Sequence, residues 1–400
     1  MDLSCSPEEE AFRARVRDWV ATNQPSGRRD TQALRAWQRR LHQAGFLGAA
    51  WPTEHGGAGL SQMEQAILNE EMARAGAPQP LGSMGISWVG PAILRFGTEE
   101  QKRRFVPRVL SGEDIWATGY SEPNAGSDMY NTQTRAVRDG DDYVINGQKV
   151  WTSLAHVSNW YFLLVRTSGE GHKVAGLSLL LIPMDTPGIE IRPTKMITGG
   201  SEFSEVFMSD VRVPADSLLG REGQGYEVVS SALINERSGI ASAIRFDRSL
   251  EQLIATARRR ELNQDPVWRQ RIADLAIRTR IMNAMGLRVL SDQLHDRFNP
   301  HTSASMKCIA TQLTQAFSEA GVGMEGPYGV LLDQRAAESG EQPGQEPGDE
   351  ADDGLGSGLD DEDVSWSYRF VRDRGMTIAG GTSEIQRNIT AERVLGLPRK

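Results

Sequence analysis

The sequence predicts an α+β chain whose helices and strands are segregated in the order α, β, α. Three observations carry the prediction. Apolar residues recur at helical spacing through about residue 110, the pattern shortens to strand-like runs from about 115, and the helical period returns after "GREGQGY" (220–226). The expected parts are an N-terminal helical domain over 1–115, a central β domain over 116–222 and a C-terminal helical region over 223–400. An acidic insertion at about 336–364, read as disordered, interrupts the last of these.

In the first part, Leu34, Trp37 and Leu41 fall at i, i+3 and i+7 and make one apolar helix face. "EHGGAGL" (54–60) is a glycine-rich break, followed by a second helical pattern through Ile67 and Met72. "GTEEQKRRFVPRVL" (97–110) reads as a capped helix, with acids first and bases later as the macrodipole favours. In the second part, "DDYVINGQKVWTS" (141–153) sets Asn146-Gly147 between two apolar runs and predicts a hairpin there. "NWYFLLVRT" (159–167) and "AGLSLLLIPM" (175–184) are short continuous apolar runs, as buried strands are, and "FSEVFMSDVRVP" (203–214) alternates. No internal repeat is present.

Composition bounds the function. Of 400 residues, 39% are hydrophobic and 24% charged, as in a globular protein with a sizeable core. The formal charge of −9 is concentrated in one place: residues 338–363 hold eleven acids, six glycines and no Lys or Arg, which leaves about +2 for the rest. That tract reads as a solvated loop, with an acidic docking segment as the alternative. The basic residues are scattered, so no nucleic-acid partner is expected. No run approaches the roughly 18 apolar residues of a membrane span. No secretory pattern opens the chain, and the two cysteines make no disulfide framework, so a cytoplasmic location is expected.

Several active sites are excluded by their missing motifs. The six histidines show no metal-ligand spacing, so no metal is expected. There is no G-x-S-x-G elbow, no GxGxxG after a strand and no GxxxxGK[ST]. Four stretches remain. "ATGYSEPNAGSDM" (117–129) is either a polar surface loop or a site loop. Trp151, in "VWTS" (150–153), is either a core aromatic or a platform for a planar ligand whose edge bonds Thr152 or Ser153. In "YEVVSSALINERSGIASAI" (226–244), Glu236 falls on the apolar stripe of Val229, Leu233, Ile240 and Ala243. A carboxylate there is either paired, with Arg237 or another helix, or is a base whose pKa burial raises. Finally, "TIAGGTSEIQRNI" (377–389) leads two glycines and two N-cap residues into a helix whose first N–H groups are unpaired.

Together these stretches resemble the acyl-CoA dehydrogenase family. "EHGGAGLS", "GTEEQKRRFVPRVLSGE", "YSEPNAGSD", "INGQKVWTS…NWYFLLVRT" and "GGTSEIQRNITAERVLGLPR" occur in the family's order and spacing along nearly the whole chain outside the acidic tract. The resemblance implies a helical N-terminal domain, a central β-barrel or sandwich and a C-terminal four-helix bundle that forms a tetramer, a dimer of dimers. It also implies FAD, an acyl-CoA substrate and an electron-transfer flavoprotein as acceptor. Carried across by residue, Tyr120 and Ser121 lie along the flavin, Trp151 stands against it, and Ser153 lies near its N5 edge with Thr152 beside it. Thr382 and Glu384 match FAD contacts, Ser127 touches the acyl-CoA, and Arg237 follows the base position.

Two departures from the family pattern matter. Many members carry a glutamate directly before the Gly-Thr of the C-terminal motif, where this chain has Gly380. Isovaleryl- and long-chain-type members carry the base on the bundle helix instead, at the place of Glu236, which leaves the Gly380 backbone amide as donor to the thioester oxygen. The family's Arg-x-x-Phe-Gly stretch, which reaches a neighbouring subunit's FAD, is replaced by "ARRRELNQDPVWRQ" (257–270), where Arg258, Arg259 or Arg260 is the candidate substitute. Homo- and hetero-oligomers both remain open. So do an oxygen-reactive relative (an oxidase or class D monooxygenase) and a non-catalytic subunit of a heterotetramer.

Overall fold

The computed structural model describes residues 5–26, 30–169, 174–235, 239–331 and 365–399. The acidic tract, Glu236 and Arg237 lie outside the described residues.

The first part folds as helices α1 (Pro7–Asn23), α2 (Thr31–Gln43), α3 (Gln62–Arg74), α4 (Gly90–Phe96) and α5 (Glu99–Ser111). Leu34, Trp37 and Leu41 are buried as their spacing predicts, and the Trp37 indole donates to Pro78 O at 2.8 Å. Helix α5 starts on a capping box, in which Thr98 and Gln101 satisfy each other's backbone N–H groups. The buried Glu71 carboxylate of α3 accepts from Arg13 and Arg17 of α1, which fastens the two helices together.

The second part is one mixed eight-stranded sheet. Its strands are β1 (Trp116–Gly119), β2 (Arg135–Asp139), β3 (Asp142–Ser153), β4 (Trp160–Arg166), β5 (Leu177–Pro183), β6 (Ile189–Thr194), β7 (Phe203–Pro214) and β8 (Leu218–Leu219). They run in the order β6-β7-β3-β2-β4-β5-β8, with β1 parallel to β4. The apolar runs of β4 and β5 are continuous because both faces are covered. Phe162, Leu164, Leu179 and Leu181 face the N-terminal helices, while Tyr161, Leu163, Leu180 and Ile182 face the core of the sheet domain.

The hairpin expected at Asn146-Gly147 does not form. Strand β3 runs straight through both residues, and the turn lies at Asp139–Asp142, where Gly140 takes φ +63°. At Asn146 the side chain exchanges hydrogen bonds with Asp210 of β7 and the ladder bulges, so pairing with a twelve-residue partner overrides the local turn preference. Edge strand β6, which the sequence pattern does not single out, pairs with β7.

The last part comprises α6 (Gly225–Asn235), α7 (Gly239–Arg259), α8 (Pro266–Leu294), α9 (Thr302–Glu325), α10 (Trp366–Asp373) and α11 (Ser383–Ile389). Phe246, Leu253, Leu275, Met282, Leu313 and Phe317 share its core. Trp366 of α10 closes that core and donates to Thr256 of α7 at 3.0 Å. Asp373, at the end of α10, is 3% exposed, and burial pushes its carboxyl up to about 6 against the hydrogen bond from Ser318 and the nearby Arg372, Arg369 and Arg374. Because its folded pKa is raised, the folded chain holds a proton between pH 4 and 6 that the unfolded chain has lost. Its stability therefore falls as pH rises through that window. Asp373→Asn should be more stable than the parent above pH 6, by roughly 1–3 kcal/mol, with the gain gone below about pH 4. Urea midpoints across this pH range give the comparison.

Candidate active site

The end of β1 and the end of β3 meet at one surface. The Val150 N–H donates to Ser121 O at 2.9 Å, which sets Tyr120 and Ser121 beside residues 150–153. Beneath them lies an ion pair that the sequence pattern did not disclose. Lys149 is fully buried, and its ammonium donates to Glu122 Oε1 at 2.8 Å and to Tyr120 O at 3.2 Å. Glu122 also accepts from the N–H groups of Gln133 (2.6 Å) and Thr134 (2.9 Å). Burial pushes Lys149 down to about 8, against the pull of Glu122. Burial pushes Glu122 up, but the Lys149 charge and the donated hydrogen bonds outweigh it and hold the carboxyl below its ordinary value. The signal available was Lys149 at an inward position of an alternating strand.

The two ends of "WTSL" are twisted into an unusual shape. The pairing of β3 with β7 shifts register between Lys149 and Thr152, and Trp151 and Leu154 both take φ +57°. Left-handed backbone at two non-glycine residues costs of order 1–3 kcal/mol each and concentrates where side chains must be aimed. Here it throws the Trp151 indole outward, 60% exposed, in edge-to-face contact with Phe203 at 5.9 Å. Of the two readings of Trp151, the core aromatic therefore fails. Thr152 turns the other way: it is fully buried and its hydroxyl shares a 3.1 Å hydrogen bond with Tyr161. Its side chain does not open on the surface that Trp151 does. Ser153 is half-buried beside it.

Gly119 makes this layering possible, because a Cβ there would lie 2.4 Å from Cζ and from the hydroxyl oxygen of Tyr161. Gly119→Ala should displace Tyr161 and lower stability by about 1–3 kcal/mol, read as a drop in the thermal midpoint. An unchanged midpoint would show that the ring moves aside freely.

Ser127 is exposed on the loop that follows Glu122. Three residues on, Tyr130 meets Tyr226 in the first turn of α6, with ring centroids 5.1 Å apart. The loop is thus tied to the helix that ends at Asn235, one residue before Glu236. Val228, Val229 and Ala232 of that helix are fully buried.

The C-terminal motif forms a left-handed turn into α11. Gly380 and Gly381 take φ +65° and +89°, and Thr382 caps the helix by accepting from the Ile385 N–H at 3.3 Å. The N–H groups of Gly380, Gly381 and Thr382 have no partner among the described residues. A Cβ at Gly380 would meet nothing within 4 Å, so the missing side chain leaves open space. Glu384 is exposed and pairs with Arg387. This half of the site connects to the sheet half through Arg372 of α10, which donates to Glu202 at 3.3 Å, while Glu202 O accepts from Leu154.

Arg259 and Arg260 both pair with the buried carboxylate of Glu325, so both guanidinium groups are already engaged within the chain. Arg258 is exposed and makes no ion pair with a described residue. Among the described residues no three His, Cys, Asp or Glu side chains gather as a metal site, and no helix is long and apolar enough to cross a membrane.

Comparison with known proteins fits this layout. Family models described as the N-terminal, middle and C-terminal domains of acyl-CoA dehydrogenase match residues 6–113, 117–211 and 223–395. The chain is 38% identical to acyl-CoA dehydrogenase IpdE1 of Mycobacterium tuberculosis, covering 98% of each chain. It is 37% identical to the IpdE1 of Mycolicibacterium smegmatis, over 98% of this chain and 99% of that one. Among solved structures it superposes on the Tcur3481-Tcur3483 steroid ACAD with a TM-score of 0.81 at 29% identity, and on the ChsE4-ChsE5 complex from Mycobacterium tuberculosis with 0.82 at 30%. Both superpositions cover 100% of each chain.

Proposed function

The chain belongs to the acyl-CoA dehydrogenase family, whose members bind FAD, and from this premise we propose that it desaturates the Cα–Cβ bond of a bulky, branched or polycyclic acyl-CoA. The observation that carries the reading is the Gly380–Gly381 turn, with three consecutive N–H groups that have no partner among the described residues and open space where the Gly380 side chain would stand. The similarity to an assembly named a steroid ACAD supports the bulky acyl group.

The residues divide the work as follows. Glu236 removes the α proton of the thioester. The Gly380 N–H donates to the thioester oxygen as negative charge builds there, so its help is greatest in the transition state. FAD bound at this site supplies the hydride acceptor. The exposed Trp151 indole would offer a face to the flavin's planar ring, and Tyr120, Ser121, Ser153, Thr382 and Glu384 would hold the cofactor. Thr152 acts from below, through Tyr161, to keep that surface in place. Ser127 and Arg237 hold the acyl-CoA. Electrons leave for an electron-transfer flavoprotein.

Anaerobic titration of the purified protein with an acyl-CoA panel, following flavin bleaching, tests this reading. Bleaching by branched or polycyclic thioesters is expected. Bleaching by short straight chains alone would overturn the substrate class, and no bleaching by any thioester would overturn the activity. Rapid reoxidation in air would point to the oxygen-reactive alternative. A second reading, a heteromeric assembly, is favoured by the two-component names of both structural relatives and by the Glu325-bound arginines. Recovery of FAD only on co-expression with a homologous chain would establish it.

A further inference from the structure

The turn at residues 380–382 is glycine-rich, and glycine alone would leave it loose. Two side chains grip it, and a third approaches the residue that follows it. Lys307 Nζ of α9 donates to Gly381 O at 2.8 Å, Gln386 Nε2 of α11 donates to Gly380 O at 2.9 Å, and the Cys308 thiol approaches Ser383 O at 3.5 Å. A peptide unit is planar and trans, so its carbonyl and the following N–H point in opposite directions. Gripping Gly380 O therefore turns the Gly381 N–H away from Gln386, and gripping Gly381 O turns the Thr382 N–H away from Lys307.

We propose that Lys307 and Gln386 are positioning residues for the donor turn: with the Ala379 N–H bonded to Gly375 O before it and the Gly380 and Gly381 carbonyls gripped after it, the peptide that carries the Gly380 N–H is held in one orientation toward the thioester oxygen. This rests on the dehydrogenase reading above. Neither side chain touches the amides it orients. Gln386 is 1% exposed and fixed within the bundle, so it is a rigid anchor. Lys307 brings an ammonium, and charge-assisted hydrogen bonds are about twice as strong as neutral ones. A merely structural role, docking α11 on α9, would stabilise the bundle without favouring one kind of ligand over another.

The test uses the FAD-loaded protein, with any subunit that copurifies, and two probes. One is a β-ketoacyl-CoA, whose enolate carries negative charge on the thioester oxygen; the other is a thioether analogue with no carbonyl. Lys307→Met and Gln386→Glu should each reduce the enolate-to-thioether affinity ratio about tenfold, with kcat falling similarly and KM nearly unchanged. Lys307→Arg keeps a donor and should retain the ratio. If Lys307→Met loses FAD, the contrast between Gln386→Glu and Lys307→Arg decides the matter. An unchanged ratio in the donor-removing variants overturns the proposal, as does an equal loss in Lys307→Arg. A wild-type protein that binds enolate no better than thioether would instead overturn the dehydrogenase reading itself.

Discussion

Replacing Glu236 with glutamine is expected to abolish flavin bleaching by acyl-CoA while leaving FAD bound and the fold intact. Glutamine matches the shape of glutamate but cannot take a proton, so the change isolates base strength from packing. A positioned base contributes about 10²–10⁴-fold, and its loss should remove that factor from single-turnover reduction. The supporting argument is the stripe: Val229 is fully buried on α6, and Glu236 lies seven residues further along the same helical pattern. A carboxylate at such a position needs either a partner or a raised pKa. Reduction within a few-fold of the parent rate would mean that the proton goes elsewhere.

Glu122→Gln should be the most damaging substitution for stability, by about 3–5 kcal/mol, because it strands the fully buried Lys149 ammonium. The Gln133 and Thr134 amides would also lose part of their acceptor. Removing both charges, as Glu122→Gln with Lys149→Met, should recover part of the loss, since the uncompensated charge is its largest source. The three denaturation midpoints, compared at pH 7, measure this. FAD should dissociate more readily from the single variant, because Lys149 also grips Tyr120 O. A midpoint for Glu122→Gln within 1 kcal/mol of the parent would show that the pair does not anchor the loop.

What the sequence disclosed and what it hid divide along physical lines. Periodicity and caps are local, so α2, α5, β4, β5 and β7 are all legible in their residues. The Asn146-Gly147 hairpin failed because a dipeptide preference is weak against a full strand partner, and Asp210 lies 64 residues away from Asn146. The glycine turn of the candidate site was legible as a motif. The exposure of Trp151 was not, because it depends on a bulge set by pairing between β3 and β7. The Glu122–Lys149 pair was hidden for a related reason: its members are 27 residues apart, and each alone passes for an ordinary charged residue.

The outward cast of Trp151 also gives the molecule a built-in optical reporter. Of nine tryptophans, it alone is exposed, while Trp37 and Trp116 are fully buried. Iodide in solution therefore reaches this indole ahead of the partly buried Trp19, Trp88, Trp160 and Trp268, and the most readily quenched part of the intrinsic emission comes from one place on the surface. Anything that settles against that indole shields it from the quencher. Occupancy of the candidate site can then be followed by fluorescence in colourless protein, without turnover and without a label.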